Sequence, residues 1–187
     1  MRLFLAINLP PEVRREIVAA TATLREGVPE LAWIREPQLH LTLKFLDEQP
    51  EDRLEAIQMA LAAVASRHRE PLLALGGIGA FPNFRRARVV WMGVTPEPRL
   101  ELLHHDIETT FASLGFELDG RPFRPHLSLA RVRNALPEDR LRALARVARE
   151  TEYRTDFVVH TIDLMQSKLG PGGSSYSTLL AAALRSD

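Results

Sequence analysis

The sequence predicts an α+β fold with two lobes, related by a pseudo-twofold axis, each with an antiparallel sheet and flanking helices around a central cleft. Two observations predict it. A short phrase occurs twice, as His-Leu-Thr-Leu at residues 40–43 and as His-Leu-Ser-Leu at residues 126–129. The segments around each phrase also follow one order, and Arg2 precedes the first histidine by the same 38 positions by which Arg88 precedes the second. Such self-similarity is typical of duplicated structural units.

The first unit covers approximately residues 1–80 and is predicted as strand, helix, strand, helix, strand. Residues 3–8 form an apolar strand, and Pro10 with Pro11 opens a helix whose apolar residues recur at helical spacing. The remaining elements are a strand at 39–46 that holds the first phrase, an amphipathic helix at 51–69 and an apolar strand at 72–78.

The second unit covers approximately residues 86–168 and repeats this order. Its predicted elements are a strand at 89–92, a helix that ends near Leu114, a strand at 123–130 that holds the second phrase, a helix around Leu144 and a strand at 157–165. Glycines at 170–173 predict a hairpin tip, and residues 174–184 follow as the final strand. We expect one domain over residues 1–187, with the two histidines meeting at its centre.

Composition and charge restrict the class of protein. With 187 residues, of which 45% are hydrophobic and 26% charged, the chain can bury one compact core. Basic and acidic residues number 24 each, which argues against a broad grip on long nucleic acid and favours a short or terminal substrate, with a local basic cleft still compatible. Four arginines of one helix are interpreted as a solvated face, with an RNA-facing ridge as the alternative: Arg140, Arg142, Arg146 and Arg149.

Two absences limit the chemistry and the location. The chain has no cysteine, which excludes disulfides, thiolate catalysis and cysteine-based zinc sites. The N-terminal apolar run is too short for a signal peptide, and charged residues interrupt every later apolar stretch. We therefore expect a cytoplasmic protein without a membrane segment.

Each phrase offers a histidine and a hydroxyl side by side. Side chains alternate across a strand, so His40 and Thr42 point one way, as do His126 and Ser128, while the leucines between them enter the core. Because histidine has an ordinary pKa of about 6.5, one imidazole can accept a proton near neutral pH while the other donates one. The hydroxyls can donate hydrogen bonds to phosphate oxygens. The sequence therefore predicts a phosphodiesterase that needs no metal or other cofactor.

Other polar and aromatic residues are interpreted from their positions. Lys44 has the parity of the cleft floor, as a cationic contact or as a rim lysine without a partner, whereas the parity of Phe45 predicts the core. His104 and His105 are adjacent, which is not the spacing of two ligands on one helical face, so no metal site is expected. His160 is expected to pack within its predicted strand, with the border of the cleft as the alternative.

Several further segments carry a resemblance to a known family. They are Arg-Leu-Phe-Leu-Ala-Ile at 2–7, Arg-Val-Val-Trp-Met-Gly-Val at 88–94, Leu-Gly-Phe at 114–116, Arg-Pro-Phe-Arg-Pro at 121–125, and Ser167 with Tyr176 after the glycine turn. With the two phrases, they make the sequence resemble the 2H phosphoesterases, and among these the bacterial RNA 2′,3′-cyclic phosphodiesterases, historically called 2′,5′ RNA ligases. The resemblance implies a bilobal α+β fold and hydrolysis of a 2′,3′-cyclic phosphate that leaves a 2′-phosphate end.

The resemblance also implies roles for single residues. His40 is then the proton donor to the leaving 3′ oxygen, His126 is the base that activates water, and Arg131 contacts phosphate. Simple alternation puts Arg131 on the face opposite His126, so its role requires the strand to end or bulge there. Ser128 stands where the family more often has threonine. We expect function to be retained with looser phosphate contacts, because serine lacks the methyl group that restricts the threonine rotamer.

The implied partner is an RNA with a 2′,3′-cyclic phosphate end or a small cyclic nucleotide. We expect a monomer to bind it, because the predicted cleft is complete within one chain. Two alternatives stay open. The same histidines serve the reverse reaction, 2′-5′ ligation of such an end to a 5′-hydroxyl. The other alternative is a non-catalytic module that binds RNA ends or nucleotides, although binding alone needs no pair of titrating groups.

Overall fold

The chain folds into strands and helices, in a computed structural model that describes residues 1–171 and 173–186. The strands are β1 (Arg2–Asn8), β2 (Ala32–Trp33), β3 (His40–Glu48), β4 (Leu72–Phe81), β5 (Val89–Val94), β6 (His126–Arg131), β7 (Arg154–Val158), β8 (Thr161–Gly170) and β9 (Gly173–Ala183). The helices are α1 (Pro11–Ala20), α2 (Ala22–Gly27), α3 (Leu54–Ala65), α4 (Pro98–Ser113) and α5 (Glu138–Glu150). Short 3₁₀ turns lie at Glu36–Gln38, Glu51–Arg53 and Phe84–Arg86. Within the described ranges, no helix is long and apolar enough to cross a bilayer.

The nine strands of the described residues form one antiparallel sheet in two halves. One half has the order β7, β4, β5, β6, the other has the order β3, β1, β8, β9, and β2 pairs with β6. The halves join where β3 meets β6, with Leu41 paired to Leu127. The predicted α+β fold with two lobes is confirmed, and the two histidine phrases lie at the junction of the lobes.

Two strands, β4 and β8, pair with strands of the other sequence repeat. β4 belongs to the first repeat, yet it pairs with β5 and β7 of the second. β8 belongs to the second repeat, yet it pairs with β1 of the first. Each half of the sheet therefore contains strands of both repeats. This exchange favours folding of residues 1–187 as one unit.

Leucines anchor the two histidine strands in the core. Leu41, Leu127 and Leu129 are at most 2% exposed, and they belong to one apolar cluster with residues of α3 and α4. Burial of one such side chain stabilises the fold by about 1.5–3 kcal/mol. Because the helices cover the leucine face of these strands, the polar residues of both phrases lie on the opposite face, which is the cleft.

One predicted strand is divided in the structure, and another begins later than predicted. The segment predicted as one strand at 157–165 is divided into β7 and β8, which lie in different halves of the sheet. His160 lies in the connection between them, with Nδ1 2.8 Å from Oε1 of Glu70 and 70% of its side chain exposed. The expectation that His160 packs within a strand is therefore wrong. The second histidine strand begins three residues later than predicted, at His126, because Pro125 has no N–H to donate.

The end of the chain follows the prediction closely. The final strand predicted at 174–184 is confirmed as β9, which pairs with β8 from Gly170 and Gly173 onward. Gly172, in the predicted hairpin tip, lies outside the described residues. The helix predicted at 51–69 is shorter in the structure, where α3 ends at Ala65 and Arg69 forms an isolated β-bridge with Arg185.

Candidate active site

The two histidine phrases lie side by side across the junction of β3 and β6. The pairing of Leu41 with Leu127 sets His40 opposite Ser128, and Thr42 opposite His126. All four polar side chains are partly buried, whereas the leucines between them are buried on the other face. His40 and His126 are therefore diagonal neighbours, and such neighbours are about 7–8 Å apart in a regular antiparallel pair. One cleft therefore holds both imidazoles and both hydroxyls.

Backbone carbonyls fix the orientation of both imidazoles in the same way. His40 Nδ1 lies 2.7 Å from the carbonyl oxygen of Gln38, and His126 Nδ1 lies 2.7 Å from that of Arg124. A carbonyl oxygen can only accept a hydrogen bond, so Nδ1 carries the proton in both rings. In each histidine, Nε2 is therefore the atom that takes up or releases a proton.

His40 lies in an aromatic and cationic environment. Its ring centroid is 5.1 Å from that of Phe4 and 5.3 Å from that of Tyr176. Burial lowers the pKa of His40, and the positive charges of Arg14 and Arg131 lower it further, whereas the hydrogen bond to the Gln38 carbonyl raises it. The free protein therefore favours the neutral form of this imidazole.

His126 borders an aromatic pocket on the other side of the cleft. Its ring meets that of Phe81 edge to face, with centroids 4.9 Å apart, and the Phe81 ring lies 5.1 Å from that of Trp91. A pocket of about 350 Å³ lies beside His126, lined also by Phe123. Gly79 makes room for the indole, because a Cβ there would clash with the Trp91 ring. These flat apolar walls suit a planar ring.

A β-bulge occurs in each histidine strand, at positions 86 residues apart. In β3, Thr42 and Lys44 pair with consecutive residues of β1, which leaves Leu43 without a partner there. In β6, Ser128 and Ala130 pair with consecutive residues of β5, which leaves Leu129 without a partner there. A bulge adds one residue to a strand and thereby reverses the alternation of the side chains that follow it.

The first bulge overturns two predictions from parity. Lys44 turns to the core, where Nζ lies 2.7 Å from Oε1 of Glu108 and donates to the carbonyl of Glu117. Only 7% of Lys44 is exposed, so the expectation that it binds substrate in the cleft is wrong. Phe45 is 60% exposed rather than buried, and its ring lies 6.3 Å from that of Phe4. Both results have one cause, the extra residue at Leu43.

The second bulge brings Arg131 to the cleft face. Leu129 and Ala130 are both buried, and Arg131 after them is exposed. Its guanidinium is near enough to His40 to lower the pKa of that residue. The bulge that the phosphate-binding role of Arg131 requires is therefore present.

Sequence reasoning missed a polar group beside His40. Asn8 pairs with His40 in the sheet, and its Nδ2 donates to Oδ2 of Asp163 at 2.6 Å. Asp163 is 4% exposed. Burial lowers the pKa of Arg14, and the negative charges of Glu36 and Asp163 oppose part of this decrease. A signal was present, since Asp163 is the one acid in the apolar run at 161–165. The hydrogen bond between Asn8 and Asp163 therefore places a buried carboxylate next to the strand that carries His40.

We expect Arg131→Gln to raise the pKa of His40. A neighbouring cation disfavours the imidazolium, so its removal allows His40 to keep its proton to higher pH. An NMR titration of the His40 ring checks this shift, and Arg131→Lys, which keeps the charge, is expected to titrate like the wild type. An unchanged titration in Arg131→Gln would place this guanidinium outside the cleft.

Comparisons with known sequences give one family. The sequence model described as the 2'-5' RNA ligase superfamily matches residues 9–171. An Archaeoglobus fulgidus protein named RNA 2',3'-cyclic phosphodiesterase is 33% identical over 181 residues, which are 96% of this chain and 98% of the relative. A Geobacillus stearothermophilus protein of the same name is 36% identical over 128 residues, which are 68% of this chain. The matched part is 41% of that second relative.

Solved structures are similar over nearly the whole chain. A crystal structure of a Thermus thermophilus protein has a TM-score of 0.81 at 29% identity and covers 100% of both chains. A crystal structure of Escherichia coli LigT complexed with 3'-AMP has a TM-score of 0.73 at 29% identity, with 98% of this chain and 97% of the other covered. Sequence and fold thus point to the same group of proteins.

Proposed function

The chain belongs to the 2'-5' RNA ligase superfamily, and from that membership we propose that it is an RNA 2′,3′-cyclic phosphodiesterase that leaves a 2′-phosphate end. One observation supports the reaction above all others. Two histidines share one cleft, and in each the Nδ1 atom is held by a backbone carbonyl, so that Nε2 is available for proton transfer. General acid and base groups of this kind contribute about 10²–10⁴-fold each.

The reaction needs one proton accepted and one donated. One imidazole takes a proton from water as its oxygen attacks phosphorus, and the bond from phosphorus to the 3′ oxygen breaks. The other imidazole gives its proton to that 3′ oxygen, which leaves as a hydroxyl. The phosphate stays on the 2′ oxygen as a monoester. The histidines exchange protonation states in the step, and solvent restores them.

We assign the donor role to His40 and the acceptor role to His126, as the family resemblance implies. A lowered pKa makes protonated His40 a stronger acid toward the leaving oxygen. The negative charge of the bound phosphate opposes the effect of Arg14 and Arg131, and so favours protonation of His40 in the complex. Arg131 in turn stabilises charge on the non-bridging oxygens.

Thr42 and Ser128 are proposed to donate hydrogen bonds to these oxygens. Each hydroxyl lies opposite the histidine of the other strand, so the two can bind the phosphate from both sides. We expect Ser128→Ala to lower kcat by about 10²-fold, because it removes one fixed donor. Steady-state kinetics on a nucleoside 2′,3′-cyclic phosphate measures this loss. Ser128→Thr keeps the hydroxyl and is expected to retain activity; equal activity of Ser128→Ala would exclude the proposed contact.

The aromatic pocket beside His126 is proposed to bind the terminal nucleobase. Its volume of about 350 Å³ lies at the lower end of the range for small-molecule sites. Rings of Phe81, Trp91 and Phe123 line the pocket, and stacking of one base on an aromatic side chain contributes about 1–3 kcal/mol. The similar E. coli LigT structure with 3'-AMP supports binding of a nucleotide by proteins of this fold.

Ligation is the second candidate, because the superfamily is named for it. Joining requires a bound 5′-hydroxyl strand to displace water from the same attacking position, so we rank hydrolysis first. Incubation of the protein with an RNA bearing a 2′,3′-cyclic phosphate and a 5′-hydroxyl RNA distinguishes hydrolysis from ligation. We expect the hydrolysed 2′-phosphate to dominate. A joined product in excess would put ligation first, and tight binding without conversion of either RNA would indicate the non-catalytic module.

A further inference from the structure

Five exposed arginines lie together at one end of β5 and β6. We call them the arginine track, and they are Arg85, Arg86, Arg88, Arg131 and Arg133. The first three lie in the turn between β4 and β5, and the last two lie where β6 ends. In the part of the chain that the structure describes, none of the five forms a salt bridge.

Acidic residues are absent from the two segments that carry the track. The sequence has no aspartate or glutamate from residue 72 to 96, and none from 120 to 137. In the whole chain, by contrast, acidic and basic residues are equal in number at 24 each. Although the net charge of the chain is zero, the two segments that carry the arginine track are therefore strongly basic. They attract polyanions over about a Debye length.

The backbone of the sheet brings the two segments together. Val89 pairs with Arg131, the N–H of Val132 donates to the carbonyl of Arg88 at 2.9 Å, and the N–H of Arg88 donates to the carbonyl of Phe81 at 2.8 Å. Asn83 caps the turn through a hydrogen bond from the Arg86 N–H to its side chain at 3.1 Å. The track is thus held on ordered backbone.

The track begins at the cleft and leads away from it. Arg131 is near enough to His40 to lower its pKa, and the other four arginines lie in the turn before β5 and just after the end of β6. The aromatic pocket lies at the opposite end of β6, beside His126. His126 and Arg131 are five residues apart on β6, and this separation spans about 17 Å along a strand. An RNA whose terminal base lies in the pocket can therefore extend further nucleotides toward the arginine track.

We propose that the arginine track binds the phosphodiester backbone of the RNA strand on the 5′ side of the cyclic phosphate. This inference rests on the proposed function and deepens it, because it makes RNA strands, rather than mononucleotides, the preferred substrates. Guanidinium groups bind phosphate in a bidentate manner, and backbone contacts of this kind carry no base preference. They do make binding dependent on salt.

The test compares two substrates and two variants. The substrates are a nucleoside 2′,3′-cyclic phosphate and a ten-nucleotide RNA with the same terminal nucleoside and end. The first variant is Arg85→Gln/Arg86→Gln/Arg88→Gln. The matched control, Arg142→Gln/Arg146→Gln/Arg149→Gln, removes three charges from the exposed face of α5.

We expect the wild type to have a higher kcat/KM for the RNA than for the mononucleotide, and this advantage to fall with added salt. The track variant is expected to lose about tenfold in kcat/KM for the RNA, with the salt slope reduced by about two, since each single-strand phosphate contact contributes about 0.7. Its activity on the mononucleotide, and both activities of the control, are expected to stay unchanged.

Three outcomes would overturn the inference while the proposed function stands. They are an RNA activity that the track variant retains in full, an equal loss in the control variant, and an equal loss on the mononucleotide. If the wild type turned over neither substrate, the proposed function would fail instead. Fluorescence anisotropy would then measure RNA affinity and test the arginine track independently of catalysis. Weaker RNA binding by the track variant only would support the inference, and equal binding by the wild type and both variants would reject it.

Discussion

Replacing His126 or His40 with Ala is expected to lower kcat for a nucleoside 2′,3′-cyclic phosphate by about 10²–10⁴-fold. Each imidazole transfers one proton in the same step, and loss of one such proton transfer has an effect of this size. Because the two act as a unit, the double variant is expected to lose little more than either single variant. Steady-state kinetics with the three proteins measures both effects.

His160→Ala is the matched control for this loss. It removes an imidazole whose partner is Glu70 and which is mostly exposed, so we expect wild-type kinetics. Product affinity of the two cleft variants is expected to remain close to that of the wild type, since binding needs donors but not proton transfer. Turnover that persists in His40→Ala would reject His40 as the proton donor.

Lys44→Met is expected to lower the free energy of unfolding by about 3–5 kcal/mol. The substitution leaves Glu108 as a buried charge without its cation, and loss of one partner of a buried pair has this effect. The consequence extends to the cleft, because the same pair holds the loop before β6. Lys44 donates to the carbonyl of Glu117, and Glu108 Oε2 accepts from the N–H of Asp119 at 2.8 Å.

Urea unfolding measures this prediction. The double variant Lys44→Met/Glu108→Leu removes both charges and is expected to recover much of the lost stability. Arg142→Met breaks the exposed pair with Glu138 on α5 and is the control, with an expected effect near zero. If Lys44→Met had the wild-type midpoint, the buried pair would not stabilise the fold.

Local patterns made the centre of the site predictable. The alternation of His40 and Thr42 with buried leucines assigns one face to the cleft, and the repeat 86 residues later places His126 and Ser128 beside them. These inferences use only the twofold period of a strand and the duplication of the chain. The adjacency of the two strands, which they require, is present in the sheet.

Contacts between distant segments limited the rest. Bulges at Leu43 and Leu129 depend on the register of β3 against β1 and of β6 against β5, which no local pattern specifies. For this reason, the predictions that Lys44 lies in the cleft and that Phe45 lies in the core are wrong. Local patterns also do not specify that β4 and β8 pair with strands of the other repeat. The pairing of β8 with β1 brings Asp163 next to Asn8, which is 155 positions away in the sequence.

The most direct test of the account is the position of the phosphate in the product. The purified protein would be incubated in EDTA and ¹⁸O-labelled water with a nucleoside 2′,3′-cyclic phosphate, and the product analysed by ³¹P NMR. We expect a 2′-phosphate that carries one ¹⁸O atom, formed by the wild type and formed about 10²–10⁴-fold more slowly by His40→Ala and by His126→Ala. A 3′-phosphate, or a rate unaffected by both substitutions, would contradict it.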